Sequence, residues 1–254
     1  MLAGEVHGRD AKKQFGEAAF AVVPFGSLEY HGPHSPLGTD LYLAQGFAQR
    51  IDPSLKPLIY PAVPYSACPG KTSSYPGTIT IDLPVFHRYL EAVLDGICRC
   101  GIQRIVLLNA HDGNMGAART AAEQVTARWK DASFLLINWW QMAAVDAPEK
   151  LGFFQGTTGR GHGGPYEMSA LKALRPDLVE VRKGDRELTP PDALSELPYV
   201  LVEGTPRGWD GYTGNIQQIS LETGEWIAAE VTANMNRLIA SWLSSQDITE
   251  SGDS

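Results

Sequence analysis

The segment Glu29-Tyr30-His31-Gly32-Pro33-His34-Ser35-Pro36-Leu37-Gly38-Thr39-Asp40 gathers two carboxylates and two imidazoles directly after the apolar run from Ala18 to Phe25. Glu29 and His31 are two residues apart, so on an extended backbone their side chains share a face. Asp40 returns after a turn rich in glycine and proline, where a helix begins. Mixed imidazole and carboxylate donors at a rigid strand end are the means by which proteins build divalent-metal sites. A second apolar run, Arg104–Leu108, ends in Asn109-Ala110-His111-Asp112-Gly113-Asn114 and so delivers another imidazole to a strand end. The bland alternative is that His111 stabilises its turn or caps the helix that follows. A third cluster is Gly161-His162-Gly163-Gly164-Pro165-Tyr166-Glu167. Glu167, Leu171 and Leu174 fall at i, i+4 and i+7, which places the carboxylate on an apolar helical stripe. A buried carboxylate requires a cation or several hydrogen bonds; near a helix start, free backbone N–H groups and the dipole are an alternative partner.

Glu29, His31, Asp40, His111 and Glu167, with His162 beside them, exceed what one tetrahedral zinc with an open position requires. They suit two divalent ions (Zn, Mn or Fe) per subunit, with one carboxylate shared. No cysteine accompanies these motifs, which argues against a purely structural zinc.

Positioning such a cluster requires strands that end at one edge. Short apolar runs at Ala18–Phe25, Pro57–Val63, Arg104–Leu108 and Ser133–Trp139 read as buried strands. Helical patterns at Asp40–Ile51, Leu83–Cys100, Gly116–Lys130, Pro165–Leu174 and Gly224–Ser244 separate or follow them, the first after a Thr39/Asp40 cap signal. Alternation of this kind predicts an α/β fold, helices on both faces of a mainly parallel sheet, with ligands at the carboxyl ends of the strands. One domain is expected over residues 1–245, with a disordered tail at 246–254. The segment Lys183–Ile219 carries little periodicity and reads as a cap over the site or a subunit contact. Trp139 and Trp140, at the end of the fourth apolar run, are candidate pocket walls, one of them expected to pack in the core. Tyr75, Ser74, Ser73 and Lys71, around a Pro76-Gly77 turn, are candidate substrate contacts.

A net charge of -8 argues against nucleic acid or an anionic membrane as partner, and no apolar run reaches the roughly 20 residues of a membrane span. The first residues lack the apolar core of a secretory signal, and a cytoplasmic location is expected. Cys68, Cys98 and Cys100 cannot all pair and read as buried or partly buried thiols; nothing adjacent to Cys68 marks an activating base.

These motifs resemble the creatininase (creatinine amidohydrolase) family. The resemblance rests on Glu29-x-His31 followed by Gly38-Thr39-Asp40, on the Pro76-Gly77-Thr78 turn, on Asn109 to Asn114, on His162 to Ser169, and on the helix end Ala173-Leu174-Arg175-Pro176-Asp177-Leu178. It implies a three-layer α/β/α sandwich, a binuclear metal centre, hydrolysis of an amide-type bond in a small molecule, and a homo-oligomer, often a hexamer. Glu29, Asp40 and His111 would hold one ion; His31, Asp40 and a further carboxylate would hold the other. His162 matches the family's catalytic histidine, and Asp112 is a further candidate for proton transfer or substrate orientation. Two departures are informative. True creatininases carry a glutamate where this chain has Gly113, so Glu167 becomes the choice for the missing ligand. They also carry a Trp-Asp pair where this chain has Thr158-Gly159, so creatinine itself is not the expected substrate. A small polar amide, lactam or formamide is expected instead. Ring opening of an inosose-type cyclic ketone is the alternative, or a metal-binding relative without turnover.

Overall fold

In the computed structural model, residues 1–155, 157–182, 204–205 and 207–250 are described, with side chains through 245. Strand β1 (Phe20–Phe25) is buried at every position, as expected of a strand covered on both faces. It is flanked by α1 (Ala11–Glu17) and α2 (Thr39–Ala48), and followed by β2 (Pro57–Ile59) and α3 (Leu83–Arg99). Then come β3 (Arg104–Asn109), α4 (Met115–Arg128), β4 (Ser133–Asn138), the short α5 (Ala147–Lys150), α6 (Pro165–Leu174) and α7 (Leu221–Glu250). The four strands form one parallel sheet in the order β2-β1-β3-β4.

Alternate strand residues face opposite layers. Phe20 and Val22 of β1 pack with Leu43 and Phe47 of α2, Leu171 of α6 and Ile227 of α7. Ala21, Val23 and Phe25 pack with Leu90 and Leu94 of α3 and Ala118 and Val125 of α4. The result is the α/β/α sandwich. Its strand order matters for function: the chain leaves β1 toward β2 on one side, then crosses back to place β3 on the other. The loops after β1 and β3 therefore diverge and open a crevice at the carboxyl ends of the central strands. Both loops carry the candidate ligands.

Several boundaries differ from those read in the sequence. Pro57–Val63 forms strand only to Ile59, because Pro61 and Pro64 have no N–H for a ladder; Val63 keeps a single bridge to Phe25. Ser133–Trp139 ends as strand at Asn138, and Trp139–Gln141 is a 3-10 turn. The Thr39/Asp40 cap is not formed: the N-cap is Gly38, without a side-chain cap, because Asp40 is engaged elsewhere. Helix α7 runs past both limits of Gly224–Ser244, with helical backbone through Glu250; residues 251–254 of the expected tail lie outside the described residues. Within Lys183–Ile219, residues 183–203 and 206 also lie outside them.

Candidate metal centre

Glu29 and His31 lie in the loop after β1, where Glu29 N donates to Leu37 O at 2.8 Å and Tyr30 N to Thr78 Oγ1 at 3.0 Å. Those bonds tie the loop to both its own return and the turn before α3. Asp40 sits in the first turn of α2, where the helix dipole favours a carboxylate. His111 leaves the end of β3, its backbone N–H held by Asn109 Oδ1 at 3.1 Å. Glu167 is in the first turn of α6, which Pro165 opens. Four separate elements thus converge on one buried cluster.

The two oxygens of Asp40 face different imidazoles. Oδ1 lies 3.0 Å from His31 Nε2, and Oδ2 lies 3.1 Å from His111 Nδ1. Glu29 Oε2 is 3.0 Å from the same His111 nitrogen, and Glu167 Oε2 is 3.9 Å from His31 Nε2. Ligand atoms around a tetrahedral ion at about 2.0–2.2 Å stand about 3.3–3.6 Å apart, and groups of three donor atoms within 4.8 Å of one another are compatible with that spacing. One is His31, Asp40 and Glu167, whose donor atoms lie within 4.8 Å of one another. A second is Glu29, Cys68 and His111, and a third Glu29, His31 and His162; Asp40 Oδ2, 3.1 Å from His111 Nδ1, stands beside the second. Backbone hydrogen bonding fixes the first imidazole: Nδ1 donates to Glu29 O at 3.0 Å, leaving Nε2 toward the carboxylates.

Charge is concentrated here. Burial alone would raise Asp40, yet the His31 and His111 charges hold it far below the usual carboxylate range. For Glu29, burial is likewise outweighed by His111, leaving a pKa of about 2. His31 is the mirror image: burial would lower it, but Asp40 and Glu167 push it up to about 10. His111 is raised well above its ordinary value by Glu29 and Asp40 against burial. Glu167 is pushed up to about 7, by burial first and also by the Asp40 and Glu29 charges. Only Gly163 N, at 2.8 Å, serves its carboxylate as a conventional donor among the described residues. Three crowded carboxylates, one of them forced toward the neutral form, are a donor set that divalent ions fit.

The cluster opens into a cavity of about 290 Å³. His162 lines it, its ring 4.0 Å from that of His31. Its Nε2 lies 2.7 Å from Tyr30 O, a group that only accepts, so Nε2 carries the proton and Nδ1 is the nitrogen left for chemistry. Burial and the neighbouring His31 charge lower its pKa to about 4. Asp112, Trp139 and Trp140 also line the cavity. Trp139 is the core member of the pair, stacked between Phe47 at 5.2 Å and Tyr166 at 5.6 Å. Tyr75 and Ser74 do not line it. Ser74 is exposed, while Tyr75 stacks on Tyr30 at 4.9 Å and donates its hydroxyl to Trp209 O. That bond holds Trp209 beside His162, at 5.7 Å. Lys71 reaches the Trp209 ring, and Ser73 bonds Gly70 O.

Several supporting residues carry no local signal. Ser27 Oγ donates to Asp40 Oδ2 at 2.6 Å, and Thr72 Oγ1 donates to Glu29 Oε1. Cys68 Sγ lies 3.6 Å from His111 Nε2, so an imidazole absent from its sequence neighbourhood is its neighbour in the fold. Cys98 is buried like Cys68, but Cys100 is exposed, against expectation, since it follows the last turn of α3. Ser27, two residues before Glu29, is the one whose spacing could have suggested its role.

A family model described as creatininase, creatinine amidohydrolase, matches residues 5–239. The chain is 27% identical over 218 residues to the creatinine amidohydrolase of Pseudomonas putida, covering 81% of this chain and 83% of that protein. It is 28% identical over 245 residues to the mycofactocin precursor peptide peptidase of Mycobacterium tuberculosis, covering 89% and 86%. A solved mutant creatininase complexed with creatine superposes with a TM-score of 0.81 at 22% identity, over 94% of this chain and 97% of that one.

Proposed function

This chain belongs to the creatininase family, and from that premise we propose that it is a two-metal hydrolase of a small, polar, non-peptide C–N bond in an amide, lactam or formamide. The observation that carries the reading is Asp40, whose two oxygens face His31 and His111 separately and so suit a carboxylate shared between two ions. Bound there, divalent ions supply a water of lowered pKa and an electrophile for the scissile carbonyl. The protein supplies the rest. His31, Asp40 and Glu167 would hold one ion, and Glu29, Asp40 and His111 the other. His162, neutral near pH 7, would accept at Nδ1 the proton of the water that adds to the carbonyl and pass it to the leaving nitrogen as the C–N bond breaks, while Nε2–H stays on Tyr30 O and fixes the ring. Asp112 meets substrate at the cavity's exposed rim.

Creatinine is disfavoured because the Trp-Asp pair of true creatininases is replaced here by Thr158-Gly159. Gly159 has φ +65°, and a Cβ there would lie 2.4 Å from the Phe154 ring. The aspartate that true creatininases place at this position has no room. At Gly113 a Cβ would lie 2.6 Å from His111 Nε2, so a glutamate there requires the His111 ring to shift. Glu167 takes its part.

Metal analysis after chelation and reloading is expected to find about two divalent ions per chain, with both binding and turnover lost in Asp40→Ala. Fewer than one ion per chain, with Asp40→Ala unchanged in activity, would sink the proposal. Lactams, formamides, ureides and inososes form the substrate screen, and ring opening of an inosose alone would favour the cyclic-ketone reading.

A further inference from the structure

One cation in the catalytic cavity has no part in holding metal or moving protons. Arg160 lines the same cavity as His31, Asp40, His111 and His162. Its guanidinium is fixed in place: Nη1 donates to Trp140 O, Nη2 donates to Ala143 O at 3.1 Å, and the group lies 4.2 Å above the Tyr166 ring. These partners are neutral. Among the described residues no carboxylate stands within ion-pair distance of it. Its side chain is half-buried and so partly open to the cavity, whereas its Nε and the Nε1 of the core residue Trp139 are closed off from it. Charge then decides what the guanidinium receives. Two divalent ions more than offset Glu29, Asp40 and Glu167; with Asp112 at the rim and Arg160 within, the loaded cavity remains positive.

We propose that the substrate carries a carboxylate close to its scissile C–N bond, and that Arg160 is the specificity-determining residue that binds it. This rests on the two-metal reading above. A planar guanidinium pinned along part of its donor set presents its remaining N–H groups in the geometry a carboxylate accepts.

The test uses a matched pair of short hydroxamates, which anchor on metal whatever the natural substrate is. One ends in a carboxylate and the other in the corresponding carboxamide; binding to the metal-loaded protein is read by calorimetry. The carboxylate is expected to bind about tenfold tighter or more, as a charge-assisted bond in a desolvated site gives. Arg160→Gln should abolish that preference while leaving the carboxamide's affinity unchanged, and Arg160→Lys should restore part of it. The wild-type comparison decides even if a variant is poorly folded. Equal binding of both compounds to wild type overturns this proposal alone. Binding of neither overturns the metal reading, and this proposal with it.

Discussion

Asp40 illustrates how one residue can set the character of a site, because its two oxygens face two imidazoles that neither Glu29 nor Glu167 spans alone. In the metal-free protein those imidazoles are protonated at neutral pH, with His31 at about 10 and His111 raised in the same direction. Metal can bind only after the protons leave. Loading at pH 7 should therefore release more than one proton per chain, with Glu167, at about 7, contributing in part. Calorimetry in two buffers of different ionisation heat measures this directly; a buffer-independent heat would contradict it. His162→Ala should retain the metal and lose about 10²–10⁴ in kcat, the usual worth of a positioned acid–base group, as steady-state kinetics on the screened substrate would show. At this scale, local spacing made Glu29, His31 and Asp40 legible. Thr72 and Cys68 were not, since each reaches its partner across 43 residues and through the fold.

Elements were legible where one physical signal ran unopposed. The apolar period of α3 and the proline-opened start of α6 place those helices within a residue of where the sequence puts them. Strand β2 was misjudged because apolar content says nothing about the missing N–H groups of Pro61 and Pro64. Packing between helices was not legible either. Gly224 of α7 lies so close to α6 that a Cβ there would meet Ser169 O at 1.9 Å. Alanine is the better helix former by about 1 kcal/mol, which on propensity alone predicts stabilisation. A clash with a backbone carbonyl cannot be relieved by turning a side chain, and overpacking costs about 1–3 kcal/mol. The clash should win. Gly224→Ala is expected to lower the midpoint of urea unfolding and, since α6 carries Glu167, to weaken metal retention. A rise in the midpoint would show that the two helices separate freely.

Across the whole molecule the candidate metal cluster joins the sheet to one helical layer: Glu29 and His111 follow the two central strands, while Asp40 begins α2 and Glu167 begins α6, which pack on the same face. Its protonation should therefore register in global stability, with a definite sign. A group whose folded pKa is raised contributes stability below its unfolded pKa and loses it as pH climbs through the folded one. Glu167 moves from 4.5 to about 7 and His31 from 6.5 to about 10, so each loses its contribution as pH rises, Glu167 first. Asp40 and Glu29 are lowered, so theirs fall away only in acid, outside this window. Chelated protein should accordingly become less stable between pH 6.5 and 9. Metal-loaded protein should not, because deprotonated ligands bind metal more tightly and binding stabilises the native state by mass action. The gap in Tm between loaded and stripped protein is expected to widen with pH, at about 2–4 °C per kcal/mol for a chain of this size. Thermal unfolding at several pH values, with and without chelator, measures it. A gap that narrows toward pH 9 would mean that His31 and Glu167 hold no metal, leaving their crowding to be explained by ion pairing alone.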